Sequence, residues 1–306
     1  MSLLLYTLLP PTLFLGLVPA ADGLSGLLNA PVISFVARLI ISWTALFLCA
    51  LYGVFASLAL RLAGDGGLSQ WTVAKAFKWT MKAGIGVEFV VHDSVGGLQR
   101  RPAVFVGNHQ TELDVCMLGA VFPRYCSVTA KSSLKWVPVL GWFMALSETV
   151  FINRTSRTSA LAAFSSAAQT MHSHKQSVFI FPEGTRSYAS TPMLLPFKKG
   201  AFHLAVQAQV PIVPIVVANY SEVLDTRRRV FRSGRIPVKV LKPVETKGLG
   251  KEDVDALVER VRSAMLEELV VLTQKARKEG VALSESDARG MMGKTKSTGS
   301  DLGMTS

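Results

Sequence analysis

The chain has 306 residues, 49% of them hydrophobic, and a formal net charge of +12, a length that allows one sizeable domain with accessory segments. Its mean hydropathy of +0.35 is high for a fully soluble protein, but the apolar surplus lies near the N-terminus and leaves the rest to read as an ordinary globular domain. Cys49, Cys116 and Cys126 show no paired spacing, which excludes a disulfide framework and a zinc site and fits a reducing compartment, while the basic excess suits an anionic membrane surface or phosphate-bearing substrates better than nucleic acid.

Residues 3–21 are uncharged but contain Pro10, Pro11 and Pro19. They read as a membrane span, a re-entrant segment or a signal sequence, the last disfavoured because no Lys or Arg precedes the apolar run. The 22 residues from Leu39 to Leu60 are also uncharged and are bracketed by Arg38 and Arg61. As a helix they cross ~30 Å of hydrocarbon, with Arg38 expected to snorkel to the interface. Asp22 to Val36 holds no Lys or Arg, whereas Arg61, Lys75, Lys78 and Lys82 follow the apolar run, so the positive-inside tendency places the large C-terminal domain in the cytosol. Residues 1–62 are therefore expected to anchor the chain in a lipid bilayer. Within 63–84, residues 69–84 have Val73, Ala76, Phe77, Thr80 and Gly84 on one helical face and Lys75, Lys78 and Lys82 on the other, flanked by Trp71 and Trp79. That pattern suits an amphipathic helix lying at a membrane interface, or equally a helix packed on the domain with a solvated lysine face.

From residue 85 short β-branched runs alternate with helical patterns. Strands are expected at 86–92, 103–107, 125–130, 149–152, 178–181, 212–217 and 238–241, and helices at 112–121, 136–146, 156–174, 199–209 and 253–273. The alternation predicts an α/β domain over 85–273 with a largely parallel sheet flanked by helices. The segment 210–217, with Pro211 and Pro214, reads as a poor central strand. Residues 274–306 are polar and read as a flexible tail.

Chemistry concentrates where predicted strands end. Asn108-His109-Gln110-Thr111-Glu112-Leu113-Asp114 follows the strand AVFVG, the place where open α/β sheets hold ligands. In a continuous helix a five-residue separation would put Asp114 ~140° around the axis from His109. The two side chains can meet only if His109 lies in the loop and Asp114 in the first turn. Asp114 would then orient one imidazole nitrogen and leave the other to act as a base on a hydroxyl, with no protein nucleophile. Phe181-Pro182-Glu183-Gly184-Thr185-Arg186-Ser187 follows the strand SVFIF. Gly184 permits a positive-φ turn, the turn's N–H groups can cradle an anion, and Arg186 offers a planar fork to a phosphate. Glu183 would either orient Arg186 or meet a substrate hydroxyl. Val150-Phe151-Ile152-Asn153-Arg154 brings a third basic strand end. Cys116, seven residues after His109, raises a covalent route, but an isolated Cys in apolar context is ordinarily core.

These segments, in this order, resemble the glycerolipid acyltransferases, and among them the fungal 1-acyl-sn-glycerol-3-phosphate acyltransferase family. The likeness runs through AKSSLKWVPVLGWFMALSETVFINR, FIFPEGTRSYAS, LPFKKGAFHLAVQAQVPIVPIVVAN and VKVLKPVET, over about residues 86–272. The resemblance implies that His109 and Asp114 are the catalytic pair, that Glu183, Gly184, Thr185 and Arg186 bind the glycerol phosphate, and that Arg154 and Lys131 add phosphate contacts. Asn153 stands where many members have Asp. It further implies transfer of an acyl group from acyl-CoA, a co-substrate, to the sn-2 hydroxyl of lysophosphatidic acid, with no cofactor or metal, at the cytosolic face of the endoplasmic reticulum. Another lysophospholipid or glycerol-3-phosphate as acceptor, or a non-catalytic lipid-binding role, are the alternatives.

Overall fold

The computed structural model describes residues 17–28, 31–153 and 155–278. Two N-terminal helices, α1 (Leu17–Leu27) and α2 (Pro31–Leu62), are followed by α3 (Ser69–Ile85). The α/β domain then runs β1 (Val87–His92), β2 (Val104–Gly107), α4 (Asp114–Val121), β3 (Cys126–Lys131), α5 (Leu140–Leu146), β4 (Val150–Ile152), α6 (Arg157–Ser173) and β5 (Ser177–Ile180). It continues with α7 (Gly200–Ala208), β6 (Ile212–Val217), the short strands β7 (Leu224–Asp225) and β8 (Val230–Phe231), β9 (Gly234–Val240) and α8 (Val254–Lys278).

Seven strands form one sheet in the order β1-β9-β6-β2-β5-β3-β4. All neighbours are parallel except β6 and β9. Strands β2, β5 and β6 are buried at every residue, as a parallel sheet covered on both faces requires. Their side chains alternate. Phe105, Phe179, Val213, Ile215 and Val217 meet α3 and α4 on one side. Val104, Val106, Val178, Ile180, Ile212 and Val216 meet α6, α7 and α8 on the other.

Strand β6 is central, against the expectation drawn from its prolines. Leu241 N–H donates to the carbonyl of Pro214 (2.9 Å) and Ala218 N–H to that of Pro237 in β9 (3.0 Å). Each proline thus accepts one bond and lacks only the return bond, and the two flank the short ladder that pairs Ile215 with Val240 through Val217 with Val238. Strand β9 likewise begins earlier than expected, at Gly234. The single helix expected over 136–146 is split into a 3-10 turn at Ser132–Trp136 and α5, because Pro138 interrupts helical bonding. Residues 274–278 of the expected polar tail are helical, and 279–306 lie outside the described residues. Helix α8 runs to Lys278, with Ala276 buried and Arg277 bonded to the carbonyl of Ser190 (3.1 Å).

Helix α2 has the length and apolarity of a membrane span, yet one side of it lies along the domain. Ile41, Ala45, Cys49, Ala50, Gly53 and Ser57 are buried. The opposite side exposes Val36, Ile40, Trp43, Phe47, Leu51, Phe55, Leu58 and Leu62. Arg38 does not snorkel. It is 5% exposed, donating to the carbonyl of Ile85 and to Asp22, each at 2.7 Å, and these partners offset the cost of burying its charge. At the far end Arg61 Nε donates to the carbonyl of Leu146 (2.7 Å). In α3 the predicted apolar face, Val73, Ala76, Phe77, Thr80 and Gly84, is buried within the protein, and on the lysine face Lys75 donates to the carbonyl of Gly119 (2.8 Å). The part of the first apolar segment before residue 17 lies outside the described residues.

Candidate active site

Strands β2 and β5 are adjacent and parallel, so the loops leaving their carboxyl ends are neighbours. The structure brings those loops together along their lengths. His109 N–H donates to Glu183 Oε1 (2.7 Å), Ser187 N–H to the carbonyl of His109 (3.0 Å), and Tyr188 N–H to that of Gln110 (3.1 Å). Gly184 turns the second loop at φ +69, where an added Cβ would meet the Lys198 side chain at 2.9 Å. Glycine relieves both the strain and the crowding.

His109 stays in the loop, and α4 begins at Asp114. The imidazole Nδ1 lies 2.7 Å from Asp114 Oδ2, while the ring stacks on Phe181 with centroids 4.1 Å apart. The aspartate is fully buried and accepts from several donors: the N–H groups of Gln110 (2.6 Å) and Thr111 (3.1 Å), and the Tyr220 hydroxyl on Oδ1 (2.7 Å). Burial first, and the neighbouring Asp114 second, push the Tyr220 phenol well above its usual pKa, so it remains a donor. A carboxylate held this way fixes the ring's orientation and directs Nδ1 to itself. The imidazole Nε2 is left for a substrate.

Glu183 neither orients Arg186 nor points at a substrate hydroxyl, as the sequence suggested. Its Oε2 accepts from Leu195 N–H (2.9 Å) while Oε1 holds His109 N–H, and it is 3% exposed. Burial raises its pKa despite the opposing pull of those two donors. Glu183 is thus a backbone clamp on the His109 loop. Arg186 is partnered instead by Glu112, through Nη1 at 2.9 Å, and by the Tyr188 hydroxyl at 3.3 Å, which itself donates to Glu112 (2.6 Å). Its Nε is shielded from solvent without a partner. Burial works against its charge, but Tyr188 and Glu112 outweigh that and raise its pKa. Nη1 is thus committed to Glu112 and Tyr188, while the shielded Nε is the donor an anion would have to uncover.

Thr185 and Lys131 are exposed. Lys131 ends β3, one strand beyond β5, at the same carboxyl edge but without a contact to the His109 loop. Arg154 lies outside the described residues; its neighbour Asn153 uses its carbonyl on the N–H and hydroxyl of Thr155 (3.1 and 2.7 Å). Cys116 is 1% exposed and its thiol is pushed up to about 12 by burial, which leaves no thiolate for a covalent route. No cluster of three or more His, Cys, Asp or Glu suited to a metal occurs among the described residues.

Sequence reading missed Tyr220, Gln110 and Asn219 as site residues. Gln110 donates to the carbonyls of Val217 and Ala218 (each 3.1 Å), and Asn219 ties Gln110 to the carbonyl of Ala189. These contacts join three loops far apart in the chain. The only local hint is that Tyr220 lies on the loop leaving β6, beyond Ala218 and Asn219.

A family model for acyltransferases matches residues 89–218. The 1-acyl-sn-glycerol-3-phosphate acyltransferase of Saccharomyces cerevisiae is 44% identical over 72% of this chain and 73% of its own length. The human 1-acyl-sn-glycerol-3-phosphate acyltransferase beta is 38% identical over 71% of this chain and 78% of its own. In fold, the chain is similar to the crystal structure of the 1-acyl-sn-glycerophosphate (LPA) acyltransferase PlsC from Thermotoga maritima. That likeness has a TM-score of 0.59 and 23% identity, covering 76% of this chain and 96% of that one.

Proposed function

We propose, since this chain belongs to the 1-acyl-sn-glycerol-3-phosphate acyltransferase family, that it transfers a fatty acyl group from acyl-CoA to the sn-2 hydroxyl of 1-acyl-sn-glycerol-3-phosphate, giving phosphatidic acid and CoA. The observation that carries the reading is the 2.7 Å contact between His109 Nδ1 and a saturated, buried Asp114, on a loop zipped to the one bearing Arg186.

In this mechanism His109 Nε2 accepts the proton of the acceptor hydroxyl as its oxygen bonds to the thioester carbon. The tetrahedral adduct then collapses, the carbon–sulfur bond breaks, and the imidazolium returns its proton to the CoA sulfur. Asp114 keeps the imidazolium paired throughout. Arg186 receives the glycerol phosphate and brings the hydroxyl to the base, which turns an encounter into a positioned reaction. Glu183, Gly184 and Thr185 shape the turn that presents Arg186, Lys131 supplies further positive charge at the same edge of the sheet, and Arg154 adds a phosphate contact. The reaction calls for no metal or cofactor, with acyl-CoA as co-substrate.

Attachment to a bilayer would use the outer side of α2, whose row of exposed apolar residues has the length of a membrane segment. A cytosolic orientation at the endoplasmic reticulum fits the absence of Lys and Arg in 22–36 and their return after Leu60.

The test is a panel of acceptors with one acyl-CoA, read as CoA release by the full chain in phosphatidylcholine vesicles. Lysophosphatidic acid is expected to be used well above lysophosphatidylcholine, other lysophospholipids and glycerol-3-phosphate. Preference for another acceptor reassigns the substrate, and no release with any acceptor removes the enzymatic reading.

A further inference from the structure

Arg227, Arg228, Arg229, Arg232 and Arg235 crowd the β7–β8 hairpin and the start of β9. Arg228 is neutralised within the hairpin by Asp225 (2.7 Å) and Glu222 (3.4 Å). Arg235 approaches Glu88 at 3.9 Å. Arg227, Arg229 and Arg232 enter no ion pair among the described residues, and the first two are exposed. The hairpin is tied by its own hydrogen bonds in spite of this charge. Asp225 Oδ1 accepts the N–H groups of Arg227 and Arg228 (each 2.9 Å), and Arg232 N–H donates to the carbonyl of Val223 (2.8 Å).

Its mounting gives the charge a direction. Val223, Leu224 and Phe231 share a core cluster with Ile41 and Ala45 of α2. At that level of the helix the outer face is Val36, Ile40, Trp43 and Phe47, all exposed. On its other flank Arg227 lines one cleft with Gln110, Thr111, Tyr188 and Tyr220, so the hairpin stands between the apolar helix and the His109 loop. A basic rim bordering an uncovered apolar stripe is satisfied by an anionic bilayer through two effects at once, apolar burial and attraction to headgroups.

We propose that this arginine hairpin is a docking surface for the anionic headgroups of the bilayer, which seats the active-site loops against the membrane and gathers phosphate-bearing lipid there. The inference builds on the membrane-attached acyltransferase described above and reaches beyond it to the lipid composition the enzyme selects.

The experiment uses the full chain reconstituted in phosphatidylcholine vesicles containing brominated-chain phosphatidylserine or, in parallel, brominated phosphatidylcholine at the same mole fraction. Tryptophan quenching by the two lipids is compared, since their ratio reports how far anionic lipid is enriched around the protein. Wild type is expected to enrich phosphatidylserine, with the enrichment falling as salt screens it. The triple variant R227Q/R229Q/R232Q is expected to lose it, by up to about five-fold for each arginine removed. The variant K242Q/K247Q/K251Q, which removes equal charge at the opposite end of the sheet, is expected to match wild type.

No enrichment by wild type, or equal enrichment by both triple variants, overturns the proposal. So does a hairpin variant that keeps its enrichment but binds CoA more weakly, which reassigns the arginines to the coenzyme's phosphates. The quenching readout involves no turnover, so absence of CoA release in the acceptor panel would remove the enzymatic reading without touching this one.

Discussion

The loop after β2 and the loop after β5 touch along their lengths, yet they are held in opposite ways. In the first, Asp114 is fully buried and already bonded to His109, Gln110, Thr111 and Tyr220, while Glu183 pins the His109 backbone from the other side. In the second, the Arg186 side chain is 38% exposed, is held through one terminal nitrogen, and keeps a shielded Nε unpartnered. The imidazole is fully positioned by the protein itself, whereas the guanidinium is only half committed. Such a division suits a reaction in which the proton acceptor must be oriented in advance, while the anion's own charge completes its clamp.

The largest effect should come from the finished side. His109→Ala removes the base and leaves the rest of the loop bonded, so turnover is expected to drop by ~10²- to 10⁴-fold, the ordinary contribution of a positioned general base, or more. The checks are CoA release with lysophosphatidic acid and circular dichroism to confirm the fold. Near-normal release would mean that the ring is a packing element and that the comparison has been drawn in the wrong place.

Glu183→Gln probes the clamp rather than the chemistry. A carboxylate serves both N–H donors, His109 and Leu195. An amide presents one oxygen and one NH2 group, so one donor is left facing another at a buried site. The expected cost is ~1–3 kcal/mol of stability, seen in denaturant unfolding of the detergent-solubilised protein. Because the displaced backbone carries the base, turnover should also fall by ~10- to 100-fold, with the acceptor KM little changed. Wild-type stability in this variant would show that Glu183 does not hold the loop.

Much of this site could be read from the chain itself, and the reason is locality. His109 and Asp114 lie five residues apart on one strand-to-helix turn, and helical geometry alone limits how they can meet. Gly184 and Arg186 likewise sit on one turn after a strong β-branched run. The partners of Glu183 could not be read, because its bonds go to backbone N–H groups, which carry no residue-type signal. Tyr220 reaches Asp114 across 106 positions of sequence, and only the order of strands makes them neighbours. The same limit explains β6. Its prolines argued against a central strand, and only the strand pairing reveals that Pro211 falls just before β6 and that Pro214 misses a single return bond to β9. Apolarity marked α2 as a long apolar helix, but a hydropathy pattern does not show which side of it is already spent on the domain or that Arg38 finds partners indoors.

Arg186→Ala should give the smallest effect and sharpen the contrast most. The side chain is partly exposed and paired with a similarly exposed Glu112, so its loss should change stability by less than ~1 kcal/mol. The base stays bonded to Asp114, so turnover at saturating acceptor should remain close to wild type. What should move is the acceptor KM, upward by ~10-fold, the order expected for losing charge-assisted bonds to a phosphate. The KM for acyl-CoA should stay where it was. A rise in both KM values would place the coenzyme on the same arginine. A fall in turnover with an unchanged acceptor KM would instead show that Arg186 supports the His109 loop through Glu112 and Tyr188, and that the two loops form one preassembled unit.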